Sequence, residues 1–250
     1  MAAETAEERE ADLPDAVPGY PHPRAAGALF GQAAAERRFL EAWRSGRLHH
    51  AWLLRGPAGV GKATLAYRIA RALIAHPAGQ GRLPGAAAPV PETLDPPPGC
   101  GVRARIAAGS EPRLRVLRRA SHPKSGKLRN EIVVDDIRGL RTFFRLSIPD
   151  GGRRVVIVDT ADELNRSAAN AFLKSLEEPP EGTVLLLVSH APGGLLPTIR
   201  SRCRALDLPP LGPDDLARAL AGAGAEVGAE EAAALGALSG GSVGRALRLR

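Results

Sequence analysis

The sequence predicts an α/β fold, in which a parallel sheet carries helices on both faces and a small helical domain follows. Three observations predict it. Continuous apolar runs, typical of strands buried on both faces, alternate with segments of helical periodicity. A glycine-rich loop at 56–62 joins the first of these runs to a helix. Past Pro209 the chain is rich in Ala and Leu and contains no run typical of a strand.

Length and composition set the broad class. The 250 residues suffice for one large domain or two small ones, and 44% of them are hydrophobic, as in folded proteins generally. Two cysteines, Cys100 and Cys203, are too few for a disulfide framework and fit a cytoplasmic location. The sequence has no apolar run of about 18 residues, so we expect no membrane partner. The net charge of +7 permits a polyanionic partner without establishing one.

The first predicted elements run from a tail into the loop helix. Residues 1–25 are charged and rich in proline, which predicts a disordered tail, and the α/β domain is expected over 26–208. Apolar residues within 32–45 recur at helical spacing. The run "HAWLLRG" at 50–56 predicts a buried strand, and "ATLAYRIARALIA" at 63–75 predicts the helix that follows the loop.

The remaining elements alternate in the same way. Residues 77–112 are expected to be an irregular insertion, because Pro, Gly and Ala dominate its first part. Asp135 can cap a helix, and "SAANAFLKSLEEPP" is a second helix stopped by its prolines. A small helical domain is expected over 209–250. Further strands are predicted at 113–120, 153–159, 183–189 and 203–208.

The glycine-rich loop matches the phosphate-binding pattern G-x-x-x-x-G-K-[ST] except at its last position. Backbone N–H groups and the positive end of the following helix would hold a phosphate there. The hydroxyl position, which normally gives an oxygen ligand to Mg²⁺, holds Ala63. Thr64 is rotated by about 100° around the helix and is a poor substitute. The loop residues expected to bind nucleotide are Gly56, Gly59, Gly61 and Lys62.

The apolar run "VVIVD" ends in Asp159, which resembles the carboxylate that holds Mg²⁺ in sites of this kind. Hydrolysing members of the class place a glutamate next, where it activates water. Here the next residue is Thr160, whose hydroxyl is too weak a base for that step. A plain loop or helix-capping aspartate is the alternative interpretation of Asp159.

Two basic features have both a functional and a plain interpretation. Arg202 lies at a turn before the last strand, where it could act as an arginine finger or form an ordinary surface salt bridge. The segment 101–130 carries many basic residues and one acid, Glu111. It could contact a nucleic-acid backbone. It has no aromatic residues for base stacking, however, and we favour a solvated strand edge and hairpin.

Together these motifs resemble the delta-prime type of subunit in the bacterial DNA polymerase III clamp loader, an AAA+ family. The resemblance runs from about Leu29 to Arg248 and rests on the loop together with "NRSAANAFLKSLEEPP", "LLPTIRSRCRALDL" and "GGSVGRAL". It implies an AAA+ P-loop domain over 26–208 and a helical lid over 209–250. The family also has a C-terminal collar domain, which we expect to be absent because the sequence stops in the lid.

The resemblance also implies roles for individual residues. The family's motor is the gamma/tau subunit, whereas the delta-prime type is a non-hydrolysing stator. Arg202 would be an arginine finger donated in trans to the neighbouring gamma/tau subunit, and Ser189 would occupy a polar sensor position. Motor subunits carry an arginine where this chain has Gly244. With Ala63 and Thr160 this makes three lost positions, so we expect no intrinsic ATPase or polymerase activity.

Partners, cofactors and alternatives follow from the same resemblance. The implied partners are the gamma/tau and delta subunits, with the sliding clamp and primer-template DNA reached through the assembled loader. No cofactor is required, and vestigial ATP binding is left open. The family's four-cysteine zinc module would fall within 77–112, where the sequence has only Cys100, so we expect no zinc and no other metal. The alternative functions are an ATP-hydrolysing gamma/tau-like motor subunit and a nucleic-acid-binding module.

Overall fold

A computed structural model of the chain describes residues 16–76, 91–122, 125–148 and 152–250. Short 3₁₀ turns at Ala161–Glu163 and Pro192–Gly194 follow the third and fourth strands. The helices and strands follow one another as α1 (Ala33–Arg44), β1 (Ala51–Arg55), α2 (Lys62–Ala75), α3 (Val102–Ala107), β2 (Leu114–Leu117), α4 (Val134–Arg145), β3 (Arg154–Val158), α5 (Arg166–Glu177), β4 (Thr183–Ser189), α6 (Pro197–Arg200), β5 (Arg204–Asp207), α7 (Pro213–Gly222), α8 (Ala229–Ser239) and α9 (Val243–Leu249).

The five strands form one parallel sheet in the order β2-β3-β4-β1-β5. β1 lies between β4 and β5, so that Arg55 at its end is opposite Ser189 and Asp207. β1 does not pair with β2, the next strand in the sequence. It pairs instead with the last two strands, β4 and β5. The carboxyl ends of all five strands therefore meet at one edge, which is where open α/β sheets bind their ligands.

Both faces of the sheet are buried. In β1, Trp52 and Leu54 belong to one core, which is shared with α1, α2 and the helices after Pro209. Ala51 and Leu53 belong to the other core, which contains α4 and α5. Because successive strand residues point to opposite faces, a continuously apolar strand needs an apolar partner on each side. The predicted α/β class with helices on both faces is confirmed.

The prediction of a disordered tail is wrong for residues 16–25. Val17 and Tyr20 pack against the core that contains Trp52, and His22 is 1% exposed. The His22 ring meets the Tyr67 ring edge-on at 5.9 Å between centroids. The few apolar and aromatic residues among the prolines bury enough surface to fix this segment. Residues 1–15 lie outside the described part of the chain.

The irregular insertion is also shorter than predicted. Residues 77–90 lie outside the described part, and 91–101 contain neither helix nor strand. Helix α3 then forms within the segment predicted to be irregular, because Val102 and Ile106, four residues apart, bury one face of it. Downstream, β2 is an edge strand and Ser121 pairs with Leu128 in an antiparallel bridge. The favoured interpretation of a strand edge and hairpin is confirmed there.

Two smaller findings complete the fold. Asp136, not Asp135, accepts the Val133 N–H at 2.9 Å at the start of α4, while Asp135 pairs with Arg138. A carboxylate in the third helical position reaches back to the cap N–H, so the prediction for Asp135 is wrong by one residue. Among the described helices, none has both the length and the apolar character needed to cross a bilayer.

Candidate functional site

A cavity of about 500 Å³ opens at the carboxyl edge of the sheet. Its walls come from residues 17–30, the phosphate loop (56–62), the segments that follow β2, β3 and β4, and helices α7 and α9. The structure thus brings most of the residues predicted from the sequence, including the lost positions, into one site. Those that line the cavity are Gly59, Gly61, Lys62, Ala63, Asp159, Thr160 and Gly244.

Two glycines allow the path of the phosphate loop. A Cβ atom on Gly56 would lie 2.1 Å from the Leu208 carbonyl oxygen, so only a hydrogen fits where the loop passes the end of β5. Gly59 has a φ of +77°, and a Cβ atom there would lie 2.2 Å from the Ser242 Oγ. The Leu208 carbonyl and the Ser242 side chain thus lie directly against the loop backbone at these two glycines.

Helix α9 closes directly onto the phosphate loop. The Gly244 N–H donates to the Gly59 carbonyl at 3.3 Å, and the Leu211 N–H donates to the Gly241 carbonyl at 3.0 Å. A Cβ atom on Gly244 would lie 3.4 Å from the Gly59 Cα. That distance is an ordinary van der Waals contact, so it is the hydrogen bond from the Gly244 N–H that shows how closely the start of α9 lies on the loop backbone.

Lys62 is buried at the base of the cavity, with 3% of its surface exposed. Its ammonium donates to the carbonyls of Gly56, at 2.7 Å, and Pro57. Burial lowers the pKa of Lys62 from 10.5 to about 8, and the nearby charges of Asp159 and Asp162 oppose that shift. An ammonium has three N–H donors, so one remains for a ligand.

The end of β4 places Ser189 beside the cavity rather than in its lining. Ser189 is fully buried and is not among the residues lining the cavity; its Oγ donates to Asp162 Oδ1 at 2.7 Å. The other oxygen of Asp162 accepts the N–H groups of His190 and Ala191. His190, rather than Ser189, lines the cavity, and burial together with Lys62 lowers the pKa of its imidazole. Asp162 therefore holds the residues at the end of β4 in place, although its own side chain does not line the cavity.

The cavity offers few oxygen ligands to a metal ion. Ala63 has none, and the Thr160 Oγ1 lies 3.4 Å from His190 Nε2. Asp159 is 8% exposed, and its charge acts on Lys62. Within the part of the chain that the structure describes, no three His, Cys, Asp or Glu side chains group as a metal site. Ala63 thus gives no oxygen ligand where the loop pattern has a hydroxyl, and Thr160 stands where hydrolysing members of the class have a glutamate.

A charged pair in the cavity wall is absent from the expected site residues. Arg119 Nε lies 3.0 Å from Glu163 Oε2, and both residues line the cavity. Burial raises the pKa of Glu163, while Arg119 opposes the change. The two residues follow β2 and β3, which are neighbours in the sheet. The order of the strands could have indicated this pair, because residues that follow neighbouring parallel strands lie close together at the carboxyl edge of the sheet.

Arg202 lies at the opposite edge of the sheet from the phosphate loop. It precedes β5, whose Arg204 pairs with Trp52 near the start of β1, and it is not among the cavity-lining residues. Its Nη2 lies 2.8 Å from Glu177 Oε1, and its Nη1 donates to the Thr198 carbonyl at 3.0 Å. Its side chain is 36% exposed. The structure therefore keeps Arg202 away from the chain's own cavity.

Several arginines of the basic segment 101–130 are engaged within the chain. Glu111 is 5% exposed and accepts hydrogen bonds from Arg105 and Arg113. Burial alone would raise the pKa of Glu111, but these two arginines lower it overall. Arg129 pairs with Asp136 at 2.8 Å. These contacts favour a structural role for the segment over a nucleic-acid interface.

Comparison with known proteins identifies the family. A family model described as DNA polymerase III, delta subunit, matches residues 31–212. The chain is 43% identical to the DNA polymerase III subunit delta' of Pseudomonas aeruginosa, over 80% of this chain and 55% of that protein. It is 34% identical to the subunit delta' of Escherichia coli, over 85% of this chain and 58% of that protein. The chain thus spans a little over half the length of these curated relatives.

A solved structure shows the same fold. The Thermotoga maritima RuvB Holliday junction branch migration motor matches with a TM-score of 0.53 and 20% identity, over 91% of this chain and 64% of that one. At this identity the likeness concerns the fold alone, and it confirms the α/β fold class. The match of the family model includes the phosphate loop, Asp159 and Arg202. The chain therefore belongs to the DNA polymerase III delta subunit family, together with the subunits named delta prime.

Proposed function

We propose that the chain is a non-hydrolysing stator subunit of the DNA polymerase III clamp loader, which loads the sliding clamp onto primed DNA in an ATP-dependent reaction. One observation carries the proposal. The cavity is well formed around Lys62, yet Ala63 and Thr160 line it where a metal ligand and a base are needed. Phosphoryl transfer depends on the positioning and charge that such groups supply. A cavity without them can bind phosphate but cannot catalyse its transfer.

We further propose that Arg202 acts as an arginine finger on the nucleotide of a neighbouring gamma/tau subunit. Its partly exposed side chain and its place at the sheet edge away from the chain's own cavity support this role. A guanidinium stays charged and offers a planar fork of donors, which suits a developing phosphoryl charge. Among the residues that the structure describes, Glu177 and Thr198 hold the Arg202 side chain, and these contacts would have to be released or shared.

The proposed partners are the gamma/tau and delta subunits, and the sliding clamp and primer-template DNA are reached through the assembled loader in the cytoplasm. The similarity to proteins named DNA polymerase III subunit delta' supports this assembly. The stator role requires no cofactor and no zinc, and it is compatible with nucleotide that is bound without turnover.

The first test is steady-state ATP hydrolysis by the isolated chain in the presence of Mg²⁺. We expect a rate equal to background, and the same rate for the Lys62→Ala variant. A motor-type site would show turnover in the natural chain that Lys62→Ala abolishes. That pair of results would overturn the stator proposal in favour of an ATP-hydrolysing gamma/tau-like subunit.

The second test is Arg202→Ala in a loader reconstituted with its gamma/tau and delta subunits. Arginine fingers contribute about 10³–10⁵ in rate, so we expect hydrolysis at the site that Arg202 serves to fall by at least about 10³-fold. Arg200→Ala is the matched control, because Arg200 is an exposed arginine two residues earlier. Equal DNA-stimulated ATPase with Arg202→Ala and Arg200→Ala would show that the finger is another residue.

A further inference from the structure

Two contacts within the chain orient the side chain of Arg202. Its Nη2 lies 2.8 Å from Glu177 Oε1, and its Nη1 donates to the Thr198 carbonyl at 3.0 Å. Both terminal nitrogens of the guanidinium are therefore held by described residues. A guanidinium has five N–H donors in a rigid fork, so the Nε–H and one N–H on each terminal nitrogen remain for a ligand. These contacts fix the plane of the guanidinium without using up its donors.

Glu177 lies at the end of a helix that does not favour an acidic residue. It is the last residue of α5, and Pro179 disfavours helical backbone at the residue that follows. The C-terminal end of a helix carries a partial negative charge, so a carboxylate there is unfavourable to the helix itself. Among the described residues, the ion-pair partner of Glu177 is Arg202. That salt bridge gives the carboxylate a role that α5 does not.

Both partners of the salt bridge are attached to the same buried core. Leu176, next to Glu177, is 1% exposed, and Ile199 of α6 is fully buried in the same cluster. The Arg202 N–H donates to the Ile199 carbonyl at 3.2 Å, and the next residue, Cys203, packs against that core. Packing therefore fixes the backbone on both sides of the pair, and the carboxylate and the guanidinium are presented to each other by rigid elements.

The exposure of the pair favours an orienting role over a stabilising one. The side chains of Arg202 and Glu177 are 36% and 48% exposed. Exposed ion pairs contribute little to stability, because water screens them and because both side chains lose rotamer freedom. The same loss of freedom is useful for a group that must meet a phosphoryl oxygen, since a side chain that is already ordered does not have to be ordered at each turnover.

We propose that Glu177 is a positioning residue for Arg202. Together with the Thr198 carbonyl it holds the guanidinium in the orientation that meets the phosphate oxygens of a neighbouring subunit's nucleotide. Glu177 does not touch that nucleotide and acts through Arg202, whose remaining N–H donors make the contact. The inference rests on the proposed arginine-finger role of Arg202.

The test is Glu177→Ala in the loader reconstituted with its gamma/tau and delta subunits. We expect kcat for DNA-stimulated hydrolysis at the site that Arg202 serves to fall by about ten-fold, because an unheld finger has to be ordered in the transition state. KM for ATP should stay within about two-fold, since the loss concerns the transition state. Glu177→Gln keeps an oxygen acceptor without the charge, so its loss should be smaller.

Glu178→Ala is the matched control, because Glu178 is the next residue and is exposed. It removes the same charge from the same end of α5 and leaves the salt bridge to Arg202 in place. We expect its kcat and KM to equal those of the loader with the natural chain.

Two further measurements separate orientation from a structural role. In the Arg202→Ala background, Glu177→Ala should cause no further loss, because no guanidinium is left to orient. A residue that held the fold or the subunit interface would lower the rate in both backgrounds. The Tm of the Glu177→Ala chain should lie within about 2 °C of the natural value, because the pair is exposed.

Any of four results would overturn the inference: a kcat of Glu177→Ala equal to that of Glu178→Ala, a loss confined to KM, a further loss in the Arg202→Ala background, or a fall in Tm beyond that range. A kcat that rises would also overturn it, because Glu177 would then restrain Arg202 rather than present it. The finger proposal is decided separately, by Arg202→Ala against Arg200→Ala. If Arg202→Ala is impaired and Glu177→Ala is not, the finger proposal stands and the positioning role of Glu177 fails.

Discussion

Lys62 is a charged group kept almost out of contact with water. Desolvation disfavours the ammonium, and the two loop carbonyls with the charges of Asp159 and Asp162 only partly compensate. The folded protein therefore holds the Lys62 proton less tightly than the unfolded chain does. A bound anion would relieve this cost, because its negative charge would favour the protonated form of Lys62.

The lowered pKa of Lys62 makes stability depend on pH. Between about pH 8 and pH 10.5 the unfolded chain carries the Lys62 proton and the folded protein does not, so the free energy of unfolding rises with pH across that window. We expect it to rise by up to about 3 kcal/mol relative to a Lys62→Met variant, which cannot titrate there. Urea denaturation of both proteins at several pH values measures this difference.

The control for that experiment is Lys174→Met, which removes an exposed lysine from α5. Its difference from the natural chain should stay constant over the same pH range, because Lys174 is exposed and lies outside the cavity lining. A constant difference for Lys62→Met as well would mean that Lys62 is not desolvated in the folded protein.

At the scale of elements, the contact between α9 and the phosphate loop depends on Gly59. A side chain there would be strained by the φ of +77° and would also collide with Ser242. Gly46 offers a matched control, since its φ is +69° but nothing lies within 4 Å of a Cβ atom on it. Strain of this kind costs about 1–3 kcal/mol, so both Gly59→Ala and Gly46→Ala should lower the free energy of unfolding.

Only Gly59→Ala should also detach α9 from the loop. Hydrogen exchange measures this directly, because the Gly244 N–H donates to the Gly59 carbonyl. We expect faster exchange at residues 241–249 in Gly59→Ala and unchanged exchange there in Gly46→Ala. Identical exchange in the two variants would show that the loop and α9 are held together by other contacts.

The elements that the sequence predicts well are those whose burial is uniform. β3 and β4 are apolar throughout because both faces of the sheet are covered, so their runs are visible without knowledge of their partners. Helix α3 was missed because only two of its residues are buried and glycines and prolines precede it. Residues 16–25 were missed because their order comes from packing against distant residues such as Tyr67.

The candidate site is predictable to a similar extent. The loop and Asp159 follow a local pattern, so their residues could be read from short stretches of sequence. Arg119 and Glu163 are separated by more than forty residues in sequence and meet only because β2 and β3 are neighbours. The placement of His190 in the cavity depends on which way the chain turns after β4, and Asp162 determines that turn.

At the scale of the whole molecule, the helices after Pro209 and the sheet share one core. Leu216, Leu220 and Ala246 belong to the same buried cluster as Trp52. Gln32 adds a polar link, since it is 2% exposed and its Nε2 donates to the carbonyls of Val60, at 3.1 Å, and Pro209, at 2.9 Å. The phosphate loop and the start of the helical segment are therefore tied to the same side chain.

A shared core and a shared link predict one cooperative unfolding transition by calorimetry. Gln32→Leu keeps most of the side-chain volume but removes the donor from the buried Val60 carbonyl and from the Pro209 carbonyl, a loss of about 1–3 kcal/mol. For a chain of this size it should lower Tm by about 3–10 °C while the transition stays single. Thr142→Ala, at an exposed site on α4, should leave Tm nearly unchanged. A separate low-temperature transition in the natural chain would show that the helical segment unfolds alone, because a common core requires both parts to lose their packing together.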